Sequence, residues 1–267
     1  MKRKIIFVDC DGTLFDVPRS MKKPSVKSKY AISELIKNGH LVFLASGRSK
    51  CLMNKDIVDL NPTGFITANG GYCYTKDNPI FRYDIKKESI QAVIDYCDSH
   101  DGVYYLENPE YIYTKDRTNQ THKDLVNTWG IGESAFKDEC GKDDTYQLMM
   151  TAFKDKKACL YFEEAMRNIV DTREQYGFTS FDVSEFGIDK GFGIRKVLEY
   201  YKMDKADAYG FGDGLNDFEM LEAVGESYAM ENGNPKVKAL AKNIAPDVLD
   251  DGFYQVMVWE GLIKPME

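Results

Sequence analysis

An uninterrupted apolar run near the N-terminus constrains the fold more than any other part of the sequence. The run Ile5-Ile6-Phe7-Val8 is mostly β-branched, a pattern typical of a parallel strand that is covered on both faces. It continues into Asp9-Cys10-Asp11-Gly12, and ligands of open parallel sheets bind just beyond the carboxyl ends of the strands. The sequence therefore predicts a buried strand with two carboxylates at the end where ligands bind.

The two carboxylates have two interpretations at this point. Side chains alternate along an extended chain, so Asp9 and Asp11 can face one spot, where they repel unless a cation or a shared proton lies between them. Mg²⁺ is the simplest cation to propose. The alternative is a solvated Asp-Gly turn that closes the strand, and these residues alone do not decide between the two.

Length and charge limit the classes of function. The chain has 267 residues, of which 43% are hydrophobic, enough for one large domain or two modest ones. With 35 basic and 43 acidic residues the formal net charge is -8, which argues against a nucleic-acid partner or an anionic membrane surface. Any affinity for phosphate must therefore come from local groups.

The sequence also predicts the cellular compartment. The basic segment Met1-Lys2-Arg3-Lys4 runs directly into the four-residue apolar strand, which is too short for the core of a signal peptide. No apolar run approaches the length that spans a membrane. The six cysteines form no Cys-x-x-Cys pair, so we expect free thiols in a reducing, cytoplasmic setting. We expect a monomer or a weak homo-oligomer.

Alternating strand and helix patterns predict a doubly wound, Rossmann-like α/β core. Strand patterns at about 4 to 9, 41 to 45 and 65 to 68 alternate with helical patterns at about 25 to 39 and 49 to 60. The same alternation returns from Gly191 onward. We therefore predict a parallel-sheet core built from residues 1–75 and 187–267.

The middle of the chain has a different pattern. Between about 76 and 186 short paired strand patterns occur with helical patterns near 87 to 99 and 159 to 173. This arrangement predicts an α+β domain over residues 76–186 that is inserted into the core.

Three later loops strengthen the interpretation of Asp9 and Asp11 as a site. Ser46-Gly47-Arg48 can bind a phosphate oxygen or can simply cap a helix. Asp189-Lys190-Gly191 starts a helix, where the lysine can direct its ammonium at the same anion or can simply be exposed to solvent. The loop from Gly210 to Asp217 is rich in glycine and acidic residues and suits a metal site or a tight turn. We expect all four loops at equivalent strand ends, where their coincidence favours a shared phosphate and metal site.

Rival motifs are absent from the sequence. A Gly-x-Gly-x-x-Gly pattern from Gly210 fails at Leu215, and neither a phosphate-binding P-loop nor a nucleophile elbow occurs. An EF-hand starting at Asp9 would need a glutamate where Ser20 stands. The three histidines, His40, His100 and His122, form no recognisable triad, and we expect them at the surface or at helix ends.

These segments resemble, in order and spacing, the four motifs of the haloacid dehalogenase-like superfamily over the whole chain. The motifs are Asp9-Cys10-Asp11-Gly12-Thr13, Ser46-Gly47-Arg48, Lys190-Gly191 and Gly212-Asp213-Gly214-Leu215-Asn216-Asp217. The large insert and Thr67-Ala68-Asn69-Gly70-Gly71 are similar to the Cof-type branch, mostly magnesium-dependent phosphatases with a C2B-type α/β cap. That branch usually has glycine where Glu231 stands, a departure that concerns the local turn and fine contacts near the site.

The resemblance implies a role for each motif residue. Asp9 would attack phosphorus and form an aspartyl-phosphate, which water then hydrolyses. Asp11 would serve as acid and base. Mg²⁺ would be held by Asp9, the Asp11 carbonyl and Asp213.

The resemblance also implies the residues that bind and support the phosphate. The non-bridging oxygens would be held by Cys10, Ser46, Gly47, Lys190 and Asn216. Two further residues would act through the groups that contact the ligand: Asp217, which orients Lys190 or a water on the metal, and Arg48.

The implied activity is phosphate chemistry, because dehalogenases of the superfamily lack an acid at the position of Asp11. The resemblance implies hydrolysis of small phosphate monoesters, sugar phosphates first, with a cap that sets specificity. A phosphomutase or other phosphotransferase is one alternative, since phosphomannomutases resemble this branch in cap type. A catalytically idle phosphate-binding module is the other.

Overall fold

The apolar run near the N-terminus forms a central strand, Ile5–Asp9, and every residue of it is buried. In this computed structural model, which describes residues 2–76, 78–129, 131–141, 143–174 and 179–267, the strand pairs in parallel with Leu41–Ala45 on one edge and Ala208–Gly212 on the other. A strand that is paired on both edges and covered on both faces favours apolar side chains throughout. The predicted buried parallel strand is confirmed.

The elements of the described residues follow in chain order. The strands are β1 (Ile5–Asp9), β2 (Leu41–Ala45), β3 (Gly64–Thr67), β4 (Tyr72–Thr75), β5 (Pro79–Arg82), β6 (Val103–Glu107), β7 (Ile112–Tyr113), β8 (Phe136–Lys137), β9 (Leu148–Ala152), β10 (Asp171–Glu174), β11 (Ser180–Ser184), β12 (Ala208–Gly212), β13 (Glu226–Met230) and β14 (Asn243–Ala245). The helices are α1 (Val26–Lys37), α2 (Lys55–Val58), α3 (Lys87–Ser99), α4 (Gln120–Trp129), α5 (Lys156–Met166), α6 (Lys190–Tyr201), α7 (Phe218–Ala223), α8 (Pro235–Leu240) and α9 (Gly252–Trp259).

The first of two compact units is built on a sheet in the order β14-β13-β12-β1-β2-β3-β4-β5. This unit comprises Met1–Arg48, Met53–Phe81 and Asp189–Glu267. The sheet is parallel from β14 to β3, and β4 runs antiparallel to β3. The α/β fold class with a Rossmann-like parallel sheet is confirmed.

Helices cover both faces of this sheet, because side chains of β1 alternate between two apolar clusters. Ile6 and Val8 pack in one cluster with residues of α1 and α9. Ile5 and Phe7 pack in the other, with residues of α6, α7 and α8. None of the helices in the described part of the chain combines the length and apolar character needed to cross a bilayer.

The second unit, Ser49–Leu52 with Arg82–Ile188, is built on a sheet in the order β10-β11-β9-β6-β7-β8. Its strands are antiparallel except for the parallel pair of β7 and β8. Tyr104 and Phe181 lie in one apolar cluster with residues of α3 and α5, while Tyr105 and Met150 lie in another with Val126 of α4.

The structure corrects several predicted elements. The helix predicted near 159 to 173 ends at Met166, and Asp171–Glu174 instead pairs antiparallel with β11, because cross-strand pairing outweighs local helix propensity. The helical stretch predicted at 49 to 60 is reduced to the 3₁₀ turn Lys50–Leu52 and the short helix α2. Helix α4 was not predicted, although the Asn119 side chain before it accepts the Thr121 N–H, as a helix cap does.

Two of the three histidines also differ from expectation. His40 and His122 are buried, and the Nε2 atom of each ring has no hydrogen-bond partner within the described part of the chain. The Nδ1 atom of His40 accepts the Lys4 N–H, and that of His122 bonds to the Tyr105 hydroxyl. His100 caps the end of α3, as expected of a residue at a helix end.

A buried carboxyl group lies inside the second unit, at the end of β6. The Glu107 side chain bonds to the Ser49 hydroxyl, and its Oε2 atom has no partner among the described residues. Burial raises the pKa of Glu107 to about 7, the hydrogen bond from Ser49 opposes the shift, and the charge of Asp182 adds to it. Between pH 4.5 and about 7, Glu107 is therefore protonated in the folded chain and ionised in the unfolded chain.

This carboxyl makes the folded state less stable as the pH rises. The pKa of a glutamate in the unfolded chain is about 4.5. The free energy of unfolding therefore falls progressively between that pH and about 7. Glu107→Gln stays neutral, and we expect it to be roughly 3 kcal/mol more stable than the wild type at about pH 8 and similar near pH 4.5. Denaturant unfolding at the two pH values measures this difference.

Glu110→Gln is the matched control, because Glu110 is exposed. We expect that variant to follow the pH dependence of the wild type. Equal pH dependence of Glu107→Gln and the wild type would show that folding does not raise the pKa of Glu107.

Candidate active site

The predicted site residues converge at the carboxyl ends of three neighbouring parallel strands. Asp9 is the last residue of β1, Ser46 follows β2 directly, and Asp213 follows β12 directly. Because β12, β1 and β2 are adjacent and parallel, their ends lie at the same edge of the sheet. The predicted convergence of these three loops agrees with the structure.

Lys190 reaches the site from a helix and not from a strand end. It is the first residue of α6, which Asp189 caps by accepting the Phe192 N–H at 2.7 Å. The expectation of four equivalent strand ends is therefore wrong for this loop, because the chain enters it from the second unit and not from a strand of the parallel sheet. The cap sets where the helix begins, and so it sets where the lysine side chain starts.

The Lys190 ammonium lies between two carboxylates. Its Nζ atom is 2.5 Å from Asp9 Oδ1 and 2.6 Å from Asp217 Oδ1, and all three side chains are almost fully buried. The second oxygen of Asp217 accepts the backbone N–H groups of Asp213 and Gly214, both at 2.9 Å. Asp217 thus fixes both the lysine and the loop that carries Asp213.

Asp213 is held against the first motif. Its Oδ1 atom accepts the Thr13 hydroxyl at 3.1 Å, and its backbone carbonyl accepts the Asn234 N–H at 2.8 Å. Gly12 lies beside it with a left-handed φ of +88°, and a Cβ atom on Gly12 would overlap the Asp213 carboxylate. The glycine is required both by the turn and by the close approach of the two loops.

Three carboxylates and one ammonium leave this cluster with excess negative charge. Burial and then the charge of Asp217 raise the pKa of Asp9 well above its usual range, against the effect of Lys190. Burial and Asp217 also raise the pKa of Asp213, to about 7. Burial disfavours the charged form of Lys190, but Asp217 and Asp9 outweigh it and raise the pKa of that ammonium.

The cluster suits a divalent metal ion. One ligand oxygen each from Asp9, Asp213 and Asp217 lies within 4.8 Å of the others. Both oxygens of Asp217 are occupied, whereas Oδ2 of Asp9 and Oδ2 of Asp213 accept no hydrogen bond from the described part of the chain. Carboxylate oxygens are the ligands that Mg²⁺ prefers, so Asp9 and Asp213 fit such an ion.

Asp11 does not join this cluster, because Arg48 binds it. The guanidinium donates from Nε to Asp11 Oδ2 at 3.0 Å and from Nη2 to Asp11 Oδ1 at 2.7 Å. The Asp11 side chain is 46% exposed, so the pair lies at the rim of the site. Arg48, which was predicted only to support the site, is therefore the direct partner of Asp11.

The remaining predicted residues surround the cluster with polar groups. The buried Ser46 hydroxyl accepts the Arg48 N–H at 3.1 Å and keeps its own proton to donate. The Asn216 amide lies 3.5 Å from Asn69 Oδ1, on the side where Gly47 packs. The Cys10 side chain packs in the apolar cluster of Ile6 and Val8, so its backbone is the part that can contribute to a ligand.

Sequence reasoning assigned no role to three residues that shape the site: Thr13, Asn69 and Asn232. The Asn232 amide donates to the Gly12 carbonyl at 2.8 Å, while its Oδ1 atom accepts the Val248 N–H. Asn232 follows β13, the next parallel strand along the sheet, and that position was an available signal. The neighbouring Glu231 is exposed and its φ is not positive, so its position does not require glycine.

Comparison with known proteins identifies the family. The model of the haloacid dehalogenase-like hydrolase family matches residues 6–257. The protein belongs to this family. YkrA of Bacillus subtilis, a relative with a provisional phosphatase name, is 30% identical over 271 residues, covering 99% of this chain and 100% of YkrA. This haloacid dehalogenase-like hydrolase is accordingly a phosphatase of the superfamily.

A second relative and a solved structure extend the comparison. The 5-amino-6-(5-phospho-D-ribitylamino)uracil phosphatase YitU of Bacillus subtilis is 26% identical over 268 residues, which cover 94% of this chain and 95% of YitU. The structure of the sugar phosphatase BT4131, of subclass IIB of the superfamily, has a TM-score of 0.84 and 23% identity and covers 97% of this chain and 100% of that one. The fold of the hydrolase is the fold of that structure.

Gly12→Ala tests the close approach between the two loops of the site. A Cβ atom there displaces the Asp213 carboxylate, so we expect turnover of a chromogenic phosphate ester to fall by at least roughly tenfold. The left-handed backbone adds a stability cost of about 1 kcal/mol.

Gly39→Ala is the control, because Gly39 has a similar φ of +86° with nothing within 4 Å of its Cβ position. We expect the same loss of stability with unchanged turnover. Equal turnover in the two variants would contradict a functional role for the position of Asp213.

Proposed function

We propose that this hydrolase is a Mg²⁺-dependent phosphatase that hydrolyses small phosphate monoesters, sugar phosphates first, through an aspartyl-phosphate. The observation that carries the proposal is the buried Lys190 ammonium bridging Asp9 and Asp217, with Asp213 beside it. A single fixed cation among three carboxylates, of which Asp9 and Asp217 are buried, attracts an additional cation and, with it, an anionic phosphate.

Asp9 is the proposed nucleophile. Lys190 and the strand end hold the carboxylate in one place, which reduces the entropy lost when it reaches phosphorus. Oδ1 accepts from Lys190, whereas Oδ2 accepts no hydrogen bond from the described residues. Attack forms an oxygen–phosphorus bond from Asp9 while the bond to the leaving oxygen breaks, and water later cleaves the aspartyl-phosphate.

Asp11 is the proposed acid and base. It would protonate the leaving oxygen and later remove a proton from water. Arg48 binds both oxygens of Asp11, so Asp11 takes up a proton either on a lone pair that Arg48 does not use or after one of these hydrogen bonds opens. The exposed position of the pair allows that rearrangement without unpairing a buried charge.

Mg²⁺ would be held by Asp9, the Asp11 carbonyl and Asp213. When bound, it would neutralise charge on the phosphate and so permit an anionic nucleophile to approach. The Thr13 hydroxyl and Asp217 keep Asp213 in position for that role.

Four groups of the chain would hold the non-bridging phosphate oxygens: the Ser46 hydroxyl, the Gly47 amide, the Lys190 ammonium and the Asn216 amide, with the Cys10 backbone next to them. They would bind charge that spreads over these oxygens in the transition state. Asp217 would act on the phosphate only through Lys190, because both of its oxygens are occupied.

The substrate class rests on the relatives. YitU is named for a substrate with a phosphorylated ribityl group, and BT4131 is a sugar phosphatase. Both substrates are phosphate esters of polyhydroxylated carbon chains, which supports a small sugar or polyol phosphate here. The second unit, together with the adjoining residues of the predicted insert 76–186, would serve as the cap that selects among them.

The function is tested by phosphate release from a panel of sugar phosphates, nucleotides and a chromogenic ester, with and without Mg²⁺. We expect turnover only with the metal and highest with sugar phosphates. Asp9→Asn removes the nucleophile, and we expect it to lower turnover by roughly a thousandfold or more. Asp59→Asn is the control, because Asp59 is an exposed partner of Lys55 outside the site.

Each other outcome selects a different function. Turnover of Asp9→Asn within about tenfold of the wild type would exclude the covalent mechanism. Transfer of the phosphoryl group to a second sugar hydroxyl would select a phosphomutase. Phosphate binding without turnover of any ester would select the idle module.

A further inference from the structure

A strained turn follows strand β3, at the same edge of the sheet as the site. Ala68, Asn69 and Gly70 have φ values of +52°, +48° and +100°, so three consecutive residues adopt left-handed backbone. All three are buried. A non-glycine residue pays a steric cost for this conformation, and the surrounding contacts have to maintain it.

The turn contacts the loop of Ser46 and Arg48 through two backbone hydrogen bonds. The Ala68 N–H donates to the Arg48 carbonyl at 2.8 Å, and the Asn69 N–H donates to the Ser46 carbonyl at 3.3 Å. The Asn69 carboxamide also packs against Gly47, since a Cβ atom on Gly47 would lie 3.1 Å from Asn69 Oδ1. The left-handed backbone directs these N–H groups toward the loop.

The same turn contacts two further loops of the site. Asn69 Oδ1 accepts from Asn216 Nδ2 at 3.5 Å, which directs the other hydrogen of that amide away from Asn69. Gly70 lies so close to the start of α6 that a Cβ atom on it would overlap the Asp189 carbonyl, one residue before Lys190. One turn of three residues thus touches the loops that carry Ser46, Asn216 and Lys190.

We propose that the Ala68–Gly70 turn holds the phosphate-binding loops at a fixed spacing and that Asn69 is a positioning residue for the phosphate. The inference rests on the proposed function, because it takes Ser46, Gly47, Lys190 and Asn216 as the phosphate donors. Asn69 itself need not touch the substrate. Its backbone fixes Ser46, and its side chain orients the Asn216 amide.

Asparagine suits this position for two reasons. Among non-glycine residues it tolerates left-handed backbone best, because its short polar side chain can bond locally. Its carboxamide also supplies an acceptor for Asn216 without adding charge, whereas an aspartate would bring a negative charge next to a bound phosphate.

Asn69→Gly removes the side chain but keeps the turn, because glycine adopts left-handed backbone readily. We expect KM for a chromogenic phosphate ester and the inhibition constant of inorganic phosphate to rise together by roughly tenfold. We expect kcat and the Mg²⁺ concentration for half-maximal activation to change by less than about threefold. Asn69→Asp keeps the acceptor oxygen, and we expect it to raise both constants further because of its charge.

Asn61→Gly is the matched control, because Asn61 is an exposed asparagine with nearly the same φ, +49°. We expect it to leave KM and the inhibition constant unchanged. Unfolding temperatures of both glycine variants show whether a kinetic effect follows from lost stability.

The results separate this inference from the proposed function. Wild-type turnover with unchanged KM and inhibition constant in Asn69→Gly would leave the phosphatase standing and overturn the role of Asn69. Phosphate binding without turnover, measured by calorimetry and weakened in Asn69→Gly, would retain the positioning role and reject the phosphatase. A wild-type protein that binds no phosphate in the presence of Mg²⁺ would overturn both.

Discussion

The contact between the Lys190 ammonium and the carboxylates of Asp9 and Asp217 is the interaction on which the rest of the site depends. Its three side chains come from a strand end, the start of a helix and a glycine-rich loop, so it ties distant parts of the chain together. Removing one partner of a buried ion pair leaves the other charge buried without a partner, which lowers the free energy of unfolding by about 3 to 5 kcal/mol. The same ion pairs therefore hold the site together and stabilise the first unit.

The arrangement is costly, because it concentrates like charge. Asp213 adds a third carboxylate to the cluster, and the burial of Asp9 and Asp217 weakens the screening of the repulsion by solvent. A protein maintains such strain where the surrounding structure fixes it and where function uses it. Here Asp217 accepts two backbone N–H groups and Gly12 admits Asp213 at close range, so the chain holds the charges in place.

The sequence predicted those parts of the molecule whose signal is local. Strand β2 and helix α3 were predicted with the bounds that the structure shows, because apolar runs and helix periodicity are read within one segment. The pairing of β10 with β11 was missed, since a strand that forms through its partner carries little signal of its own. The bounds of the two domains and the catalytic roles of the motif residues stay predictions.

In the site, too, some neighbours were predicted from the sequence and other contacts were not. The resemblance to the superfamily predicted Asp9, Lys190 and Asp217 as neighbours, and the structure brings them within hydrogen-bond distance. The pairing of Arg48 with Asp11 and the contact of Asn69 with Asn216 depend on side-chain directions that no single-segment pattern records. A strained turn such as Ala68–Gly70 is recognisable only when its φ values are known.

The central proposal is that one ammonium does not neutralise the carboxylates of Asp9, Asp213 and Asp217, so that the cluster would bind a divalent cation before any substrate arrives. Calorimetric titration of Mg²⁺ into the wild type and into Asp213→Asn, without a phosphorylated ligand, tests it most directly. The account predicts one site in the wild type and an affinity at least roughly tenfold weaker in the variant. Equal affinity in both proteins, or no binding to the wild type, would contradict it.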